Sequence, residues 1–313
     1  MIAVDEAPYP LGMPEGDTIH RAAAALRRGL LGRELTRVEL PRLRPPLPAI
    51  GASIQRIEAR GKHLLIGSSD GLIVHTHLRM TGSWHLYRPG EPWRKSARAA
   101  RVVLGVDTAT AVCFSAPIVE VLDRRALRRH PTLRALGPDL CDPTADLDEA
   151  TARLGRLIEG ARTIGEALLD QRVACGVGNV YRCDVLFLHG LHPATPVRAV
   201  EVTTRRSLLA TSAELLQANL DGEMRTTVPG SPAGTLWVHG RRGEPCRRCG
   251  TPIEIDRLGE HARYVYWCPV CQPGPTEASV RPPAPPAPGA GGETPEAVAG
   301  SRSDEPNEGG DVA

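Results

Sequence analysis

The most informative stretch of the sequence is CRRCGTPIEIDRLGEHARYVYWCPVC, residues 246–271. It begins and ends with a Cys-x-x-Cys pair, and eighteen residues separate the two pairs. One such pair alone is more typical of a redox site, but two matched pairs are typical of turns that present four thiolates tetrahedrally to a metal. We therefore predict a zinc ribbon in which one structural Zn²⁺ is bound by Cys246, Cys249, Cys268 and Cys271, since four cysteines leave no position for a water.

Upstream of the ribbon, the chain changes from strand-like to helix-like patterning. Apolar residues recur at helical spacing in PEGDTIHRAAAALRRGLLG, residues 14–32, and predict one amphipathic helix. Residues 34–114 are short, alternating or β-branched stretches with turn signals at 69–71 and 107–108, as in a β-sandwich. Helical patterns follow at about residues 147–159, 163–170, 179–188 and 203–220.

The charge distribution favours a polyanionic partner. Residues 13–272 carry 36 Lys and Arg against 27 Asp and Glu, a net charge of +9, whereas residues 273–313 carry two Arg against seven acidic residues. A basic body of this kind is typical of nucleic-acid binding, and an arginine-rich coding bias is the alternative explanation. The tail is rich in Pro and Gly and predicts a disordered acidic appendage.

Composition also bears on the compartment. The opening MIAVDEAPYPLG has two acidic residues and no basic one, which does not fit a signal peptide, and no apolar run is long enough to cross a bilayer. We expect a cytoplasmic, nucleoid-associated protein with no membrane partner. In a reducing compartment the four cysteines outside the ribbon are expected to be thiols, and they are Cys113, Cys141, Cys175 and Cys183.

Two weaker signals concern phosphate. Gly176 and Gly178 lie between helical patterns, and such a turn is either only a connection or an anion site at a helix N-terminus. Only two of the 38 basic residues are lysines, Lys62 and Lys95. Because an ammonium differs from a guanidinium in geometry and acidity, Lys62 is either a specific functional group or an ordinary surface lysine.

Five motifs together resemble the Fpg/Nei family of DNA glycosylases. They occur in family order as Met-Pro-Glu-Gly at 13–16, Arg-Gly-Lys-His at 60–63, HLRMTG at 77–82, the run 171–182 that ends in GVGNVYR, and the ribbon up to Gln272. The resemblance implies an α+β multidomain fold, with an N-terminal β-sandwich preceded by an α-helix, a helical domain with a helix–two-turns–helix motif, and the C-terminal zinc ribbon. We place these domains at residues 13–130, 131–238 and 239–272.

The resemblance implies that Pro14 is the nucleophile. In the family, the amine of an N-terminal proline attacks C1′ of a damaged nucleotide, expels the base and forms a Schiff base, after which β- and δ-elimination cut the strand. A terminal amine titrates near pH ~8, so a useful fraction is neutral at cellular pH. The adjacent Glu15 then moves protons at the sugar. Without the family, this Pro-Glu pair is only a favourable first helical turn.

This chemistry requires a free nitrogen at position 14. Behind Met13, Pro14 is an internal tertiary amide with no basic lone pair and is unable to form an iminium. We therefore expect residues 1–12 to be a start-site extension, with Met13 as the working initiator and its methionine removed.

The resemblance also assigns the DNA contacts. Lys62 and Arg263 correspond to the residues that hold the lesion phosphate, and Asn179 corresponds to the asparagine of the helix–two-turns–helix motif that binds the same backbone region. Met80 lies where the family inserts an apolar wedge beside the flipped nucleotide. From the residues alone, a core methionine on a strand is an equally open interpretation of Met80.

Departures from the family pattern concern the substrate. Formamidopyrimidine-type members carry an Arg and a Phe on a loop that fills the space opposite the lesion, and residues 115–121 contain neither. This favours the endonuclease VIII-like (Nei) branch and oxidised pyrimidines. Thr18 stands where a carboxylate is common, with Asp17 beside it, so the base-removal step departs more from the family than the lyase step does.

The leading hypothesis is thus a bifunctional DNA glycosylase and abasic-site lyase of base excision repair. A non-catalytic damaged-DNA binding protein and an Fpg-like glycosylase for oxidised purines remain alternatives. We expect a monomer whose partner is damaged DNA and which uses no nucleotide cofactor.

Overall fold

The structure is a computed structural model that describes residues 14–158, 160, 162–222 and 224–275. The start-site extension predicted from the sequence, and all of the predicted tail after residue 275, lie outside the described residues. None of the helices in these ranges combines the length and apolar character that a membrane span requires.

The predicted N-terminal helix is α1, Gly16–Leu30. Its apolar stripe buries Ile19, Leu26 and Leu30 against the sandwich that follows, where each is at most 1% exposed. Gly32, at φ +76°, takes the left-handed conformation that lets the chain leave the helix, as a residue with a side chain rarely does. The helix therefore begins at the Pro-Glu pair and ends against the sandwich.

Residues 37–122 form a sandwich of two antiparallel four-stranded sheets, with strand orders β1-β6-β7-β5 and β2-β3-β4-β8. The turn signals at 69–71 and 107–108 fall between paired strands, as predicted. Three of the strands, β1, β5 and β8, were not predicted. The bounds are β1 Arg37–Glu39, β2 Ile54–Arg60, β3 His63–Ser68, β4 Ile73–His77, β5 Ser83–Tyr87, β6 Ala100–Gly105, β7 Thr110–Phe114 and β8 Ile118–Leu122.

The sandwich core lies between the two sheets. Leu64 and Ile66 of β3 face Val102 and Leu104 of β6 within one apolar cluster, and each is at most 1% exposed. Burying a side chain of this size stabilises the fold by roughly 1.5–3 kcal/mol. The strand that supplies Leu64 starts directly after Lys62, so this core also fixes the position of that lysine.

Helices dominate the next part of the chain. The helix predicted at 179–188 is confirmed, whereas those predicted at 147–159, 163–170 and 203–220 are shorter or shifted, and two short helices before them were not predicted. One reason for the difference is a capping box at Thr163 that starts a helix of only one turn. The bounds are α2 Arg124–Arg129, α3 Pro131–Ala135, α4 Leu147–Gly155, α5 Ile164–Ala167, α6 Asn179–Leu188 and α7 Val202–Gln217.

The ribbon is an antiparallel hairpin of β9, Glu254–Leu258, and β10, Arg263–Trp267. Its few buried apolar residues, such as Val265, pack with Phe187 of α6. The hairpin is therefore attached to the helix that begins in the glycine-rich turn. This arrangement brings α1, the start of β3, α6 and β10 close together.

Candidate active site

Glu15 is fixed to the start of α6. It is 1% exposed, and its two carboxylate oxygens accept the backbone N–H groups of Gly178 at 2.8 Å and Val180 at 2.9 Å. The first turn of a helix offers unpaired N–H groups and favours negative charge. Phosphate binding by this turn was one of two interpretations of the sequence, and the structure shows two of its amides bound to a protein carboxylate instead. Pro14, half-buried, directly precedes that carboxylate.

This contact explains the glycines of two motifs. A Cβ at Gly178 would lie 2.1 Å from Cδ of Glu15, and a Cβ at Gly16 would lie 2.7 Å from Cα of Gly176. The N–H of Gly16 donates to the carbonyl of Gly176 at 2.9 Å. Side chains at these positions would force α1 and α6 apart, so the Pro-Glu-Gly motif meets the GVGN motif backbone to backbone.

Arg225 is a site residue that the sequence did not reveal. Its guanidinium donates to both oxygens of the fully buried Asp17, to Oδ2 at 3.0 Å, and approaches Glu15 to 3.6 Å. It also donates to the hydroxyl of Thr18 at 3.2 Å and lies 4.9 Å from the ring centre of Tyr181. Although burial alone would raise it, Arg225 holds the pKa of Asp17 below its usual value. The start of α1 is therefore held by a cation that lies near the C-terminal end of the helical domain.

Lys62 lies in the turn between β2 and β3, directly before the first residue of β3. Gly61 precedes it at φ +55°, donates its N–H to Oδ2 of Asp139 at 2.6 Å, and has Cys175 so close that a Cβ would lie 2.7 Å from it. Lys62 itself is half-buried. Its pKa is lowered to about 8, chiefly by burial and also by Arg263 and Arg225, while Glu15 opposes this shift. An ordinary surface lysine does not fit these surroundings.

Arg263 and Asn179 both lie at the junction of the ribbon with α6. Arg263 is the first residue of β10 and half-buried, and burial lowers its pKa, as do the nearby Arg182 and Arg79. The Asn179 amide donates to the carbonyl of Tyr264 at 2.9 Å, and its oxygen accepts from Arg182. The Asn179 side chain is thus hydrogen-bonded within the protein, and if its amide is to donate to DNA, the bond to the Tyr264 carbonyl has to be exchanged. Both residues remain predicted DNA contacts.

Met80 lies in the turn between β4 and β5 and is 72% exposed. The interpretation of a core methionine on a strand is therefore wrong. An exposed apolar tip next to Arg79, whose φ is +46°, is the geometry that an inserted wedge requires. The insertion itself remains a prediction.

These residues place several cations around one carboxylate. Lys62 comes from the sandwich, Arg263 from the ribbon and Arg225 from the helical domain, and the electrostatic effects of the first two reach Glu15. Such a cluster favours the approach of a phosphate diester, since the polyanion compensates the like charges. A sugar bound through its phosphates at this cluster would come to lie near Pro14 and Glu15.

The four predicted zinc ligands come together. The Sγ atoms of Cys246 and Cys271 are 3.9 Å apart, those of Cys249 and Cys268 are 3.4 Å apart, and all four lie within 4.8 Å of one another. A tetrahedral zinc with Zn–S bonds of about 2.3 Å requires Sγ separations close to these. The donor set therefore fits a tetrathiolate site. Outside it, the other four cysteines are free thiols, as expected, and all four are buried.

Comparisons with known proteins agree with this architecture. Three family models match the chain, namely the formamidopyrimidine-DNA glycosylase N-terminal domain at residues 13–118, the formamidopyrimidine-DNA glycosylase H2TH domain at 136–229, and the zinc finger found in FPG and IleRS at 243–274. Together they span the sandwich, the helical region and the ribbon. The chain belongs to the Fpg/Nei family of DNA glycosylases.

Individual relatives narrow this assignment. The chain is 40% identical over 268 residues to the probable endonuclease 8 2 of Streptomyces coelicolor, covering 84% of this chain and 95% of that protein. It is also 40% identical over 263 residues to the DNA-(apurinic or apyrimidinic site) lyase Nei2 of Mycolicibacterium smegmatis, covering 83% and 99%. Within the family, the chain is a member of the endonuclease VIII (Nei) type.

A solved structure gives the same fold. The formamidopyrimidine-DNA glycosylase of Lactococcus lactis, in a non-covalent complex with DNA that contains an abasic site, matches with a TM-score of 0.70. The match covers 83% of this chain and all of that one, at 23% identity. At this identity the match establishes the fold alone.

Proposed function

We propose that the protein is a bifunctional DNA glycosylase and abasic-site lyase of base excision repair that works through a Schiff base on Pro14. The observation that carries this proposal is the position of the Pro14–Glu15 pair at the junction of α1 and α6, beside the cations Lys62 and Arg263. The Pro14 amine attacks C1′, and the base leaves as the glycosidic bond breaks. The C1′–O4′ bond of the sugar then opens as O4′ takes a proton, and the iminium formed at C1′ accepts the electrons of the β- and δ-eliminations.

Glu15 is the proton carrier in this proposal. Each carboxylate oxygen accepts one backbone N–H, which leaves a further lone pair on each oxygen for the sugar. The same two bonds orient the carboxylate before substrate arrives, so no reorganisation is needed during the reaction. Lys62 and Arg263 hold the phosphate beside the lesion, and Met80 fills the gap left by the flipped nucleotide.

The zinc would be structural. Cys246, Cys249, Cys268 and Cys271 hold it, and it supplies the cross-link that keeps β10, and therefore Arg263, in place. All proposed groups come from one chain, so the enzyme acts as a monomer in this proposal, and no nucleotide cofactor takes part.

Oxidised pyrimidines are the proposed substrates. Support comes from the endonuclease 8 relatives and from the stretch after Phe114, where residues 118–122 form β8, a strand paired with β4, and contain neither Arg nor Phe. Efficient excision of an oxidised purine opposite cytosine, with little excision of oxidised pyrimidines, would favour the Fpg-like alternative instead.

The first residue of the working protein is part of the proposal. The family match starts at Met13, which supports initiation there and removal of the methionine to free the Pro14 nitrogen. Peptide mass spectrometry of the natural protein tests this point, and active enzyme that retains residues 1–12 would contradict it.

Borohydride trapping on a duplex with an abasic site tests the chemistry. We expect a covalent adduct from protein that begins at Met13, with the methionine removed, and a much weaker one from its Pro14→Gly variant, whose primary amine gives an imine that must still be protonated before elimination. The matched control is the 313-residue chain with residues 1–12 still attached, which has only an amide nitrogen at position 14 and is expected to give no adduct. Tight binding of abasic DNA without any adduct from the processed protein would support the non-catalytic binding protein.

A further inference from the structure

A cluster of four histidines and one glutamate lies next to Lys62, outside the site described above. His63 of β3 pairs across the sheet with His77 of β4, and His75 of β4 pairs with Glu120 of β8. Their neighbours in sequence, such as Leu64, point into the sandwich core, so the cluster occupies the opposite face of the sheet.

Hydrogen bonds connect the cluster into a chain. His63 Nδ1 lies 2.9 Å from His75 Nε2, and His75 Nδ1 lies 2.8 Å from Oε2 of Glu120. The same oxygen lies 3.1 Å from Nε2 of His130, which stands between α2 and α3. His63 and His75 are at most 5% exposed, whereas the Glu120 side chain is 42% exposed. The chain therefore runs from the surface to the residue that follows Lys62.

The two ends of the chain determine where its protons lie. His130 Nδ1 accepts the N–H of Leu133 at 3.2 Å, so in the neutral ring the proton is on Nε2 and is donated to Glu120. Burial alone would raise the pKa of Glu120, but its bonds to His75 and His130 hold it below its usual value, so this group is a carboxylate that only accepts.

The remaining protons follow from that carboxylate. His75 must donate from Nδ1 to Glu120, its Nε2 then accepts, and His63 must donate from Nδ1. The rings of His63 and His77 are neutral near pH 7, because burial lowers the pKa of His63 to about 2 and that of His77 to about 4, and burial also lowers the pKa of His75. His63 is therefore the Nδ1–H tautomer, and its Nε2 carries a lone pair.

This tautomer matters because of the charges around Lys62. Lys62 already shares its surroundings with Arg225 and Arg263, and it acts electrostatically on His63 and His77. The ring centres of His63 and His77 are 4.6 Å apart. A lone pair at Nε2 of His63 makes that edge of the ring electrostatically negative, whereas an N–H there, or a protonated ring, would add to the positive potential around the adjacent lysine.

A metal ion is the competing explanation of the cluster. His75, Glu120 and His130 present donor atoms within 4.8 Å of one another. Metal binding by Nε2 of His130 would require that nitrogen to be free of its proton, yet Nδ1 already accepts from Leu133. The hydrogen-bond pattern thus favours the proton chain over a metal site.

We propose that Glu120 is a positioning residue for Lys62, acting through His75 and His63 to hold the neighbouring imidazole neutral with its Nε2 unprotonated. The inference rests on the proposed role of Lys62 in holding the lesion phosphate. The groups that face the chain are Lys62, His63, His75, His77, Arg79, Glu120 and His130.

Imidazole nitrogen spectra of ¹⁵N-histidine-labelled, zinc-loaded protein at pH 7 test the proton positions directly. We expect His63 and His75 to be Nδ1–H tautomers in the native protein. In Glu120→Gln the amide is able to donate to His75, so both rings should convert to Nε2–H or to a mixture. The matched control is Glu58→Gln, since Glu58 is on the same sheet, is 37% exposed and pairs with Arg56 rather than a histidine. Unchanged tautomers in Glu120→Gln would overturn the proposal.

Binding to a duplex with a tetrahydrofuran abasic analogue tests the link to Lys62. We expect Glu120→Gln to weaken binding about tenfold, the effect of one disturbed charged contact, and to have no further effect in Lys62→Ala. An equal loss in the Lys62→Ala background would overturn the proposal. If Lys62→Ala itself binds normally, the role proposed for Lys62 fails while the tautomer result still stands.

Two more measurements exclude other roles. His130→Asn keeps a side chain that is able to cap α3 and removes only the second donor to Glu120. The tautomers of His63 and His75 should therefore persist, because the bond between His75 and Glu120 is still present. A role of Glu120 in folding alone would not require them to persist. Where Glu120→Gln does not fold, an unchanged pair of tautomers in His130→Asn is the supporting result, and their loss contradicts the proposal. One equivalent of added Zn²⁺ that shifts the His75 and His130 resonances together would make the cluster a metal site and overturn the proposal.

Discussion

The sandwich and the ribbon each supply one cation to the same site, but they hold it in place by different means. Lys62 stands at the start of β3, and residues such as Leu64 and Leu104 bury that sheet in a large apolar core. Arg263 stands at the start of β10, in a hairpin with few buried apolar residues and four clustered thiols. In the proposed function, a phosphate contact is thus positioned by apolar packing in one region and by a metal cross-link in the other, and only the second kind would disappear with the metal.

Removal of the metal should separate the two regions most clearly. Zinc binding in small fingers is worth about 10–16 kcal/mol, more than the remaining core of the ribbon is able to replace. We expect Cys268→Ala or a strong chelator to abolish protection of residues 246–271 in hydrogen exchange while strands 54–122 stay protected. DNA binding would be lost indirectly. Cys113→Ala, a buried cysteine of the sandwich, is the control, and a protected ribbon in Cys268→Ala would contradict the zinc assignment.

A cavity in the sandwich core should have the opposite effect on hydrogen exchange, because it should reduce protection in the sandwich and not in the ribbon. Leu104 is fully buried, so Leu104→Ala is expected to lower the free energy of unfolding by about 2–5 kcal/mol. Denaturant unfolding followed by hydrogen exchange should place this loss in residues 54–122, with the protection of the zinc-loaded ribbon unchanged. Equal loss of protection in the ribbon would mean that the sandwich core, rather than zinc, holds the hairpin.

The two cations should then contribute similarly to DNA binding. Each phosphate contact that is lost reduces the salt slope of log K by about 0.9. We expect Lys62→Ala and Arg263→Ala each to weaken binding of an abasic duplex and to reduce that slope by this amount. Arg56→Ala, an exposed arginine paired with Glu58, is the matched control and should change neither quantity. An unchanged slope for Arg263→Ala would remove the ribbon from the phosphate site.

The smallest expected effect is on the pH dependence of DNA binding, which should differ between Lys62 and an arginine at the same position. Burial lowers the pKa of Lys62 to about 8, so its cation is present below that pH and lost above it, whereas an arginine stays charged. Binding by the native protein should therefore weaken between pH 7 and pH 9, and binding by Lys62→Arg should weaken less. The difference between the two proteins is the quantity to measure, because a free Pro14 amine titrates in the same range. Identical pH profiles would contradict the shifted lysine.

The sequence predicts a helix or strand well where the pattern of its own residues is clear. The helix predicted at about 179–188 is confirmed, because its start follows a glycine turn and its apolar residues are buried on all sides. By contrast, β8 was missed, since Pro117 precedes it and its residues are all of intermediate exposure, with no alternation to recognise. The short α5 differed because the length of a helix depends on what it packs against and not only on its cap.

The residues of the candidate site also divide into those that the sequence suggests and those that only the structure reveals. Pro14, Glu15, Lys62, Asn179 and Arg263 were identifiable because each lies in a short motif. Arg225 lies in no such motif, and its partner Asp17 is 208 positions away, so only the folded chain reveals the pair.

The sequence by itself determined the family, the four cysteines that come together and the motifs in which the proposed site residues lie, because these depend on residue types at fixed local spacing. Only the tertiary structure decided that Glu15 accepts the amides of the glycine-rich turn and that Arg225 binds Asp17 at the start of α1. It also decided that hydrogen bonds through His75 connect Glu120 with His63, the residue after Lys62. The physical reason is that hydrogen bonds and ion pairs act over about 3 Å in space, whatever the distance along the chain.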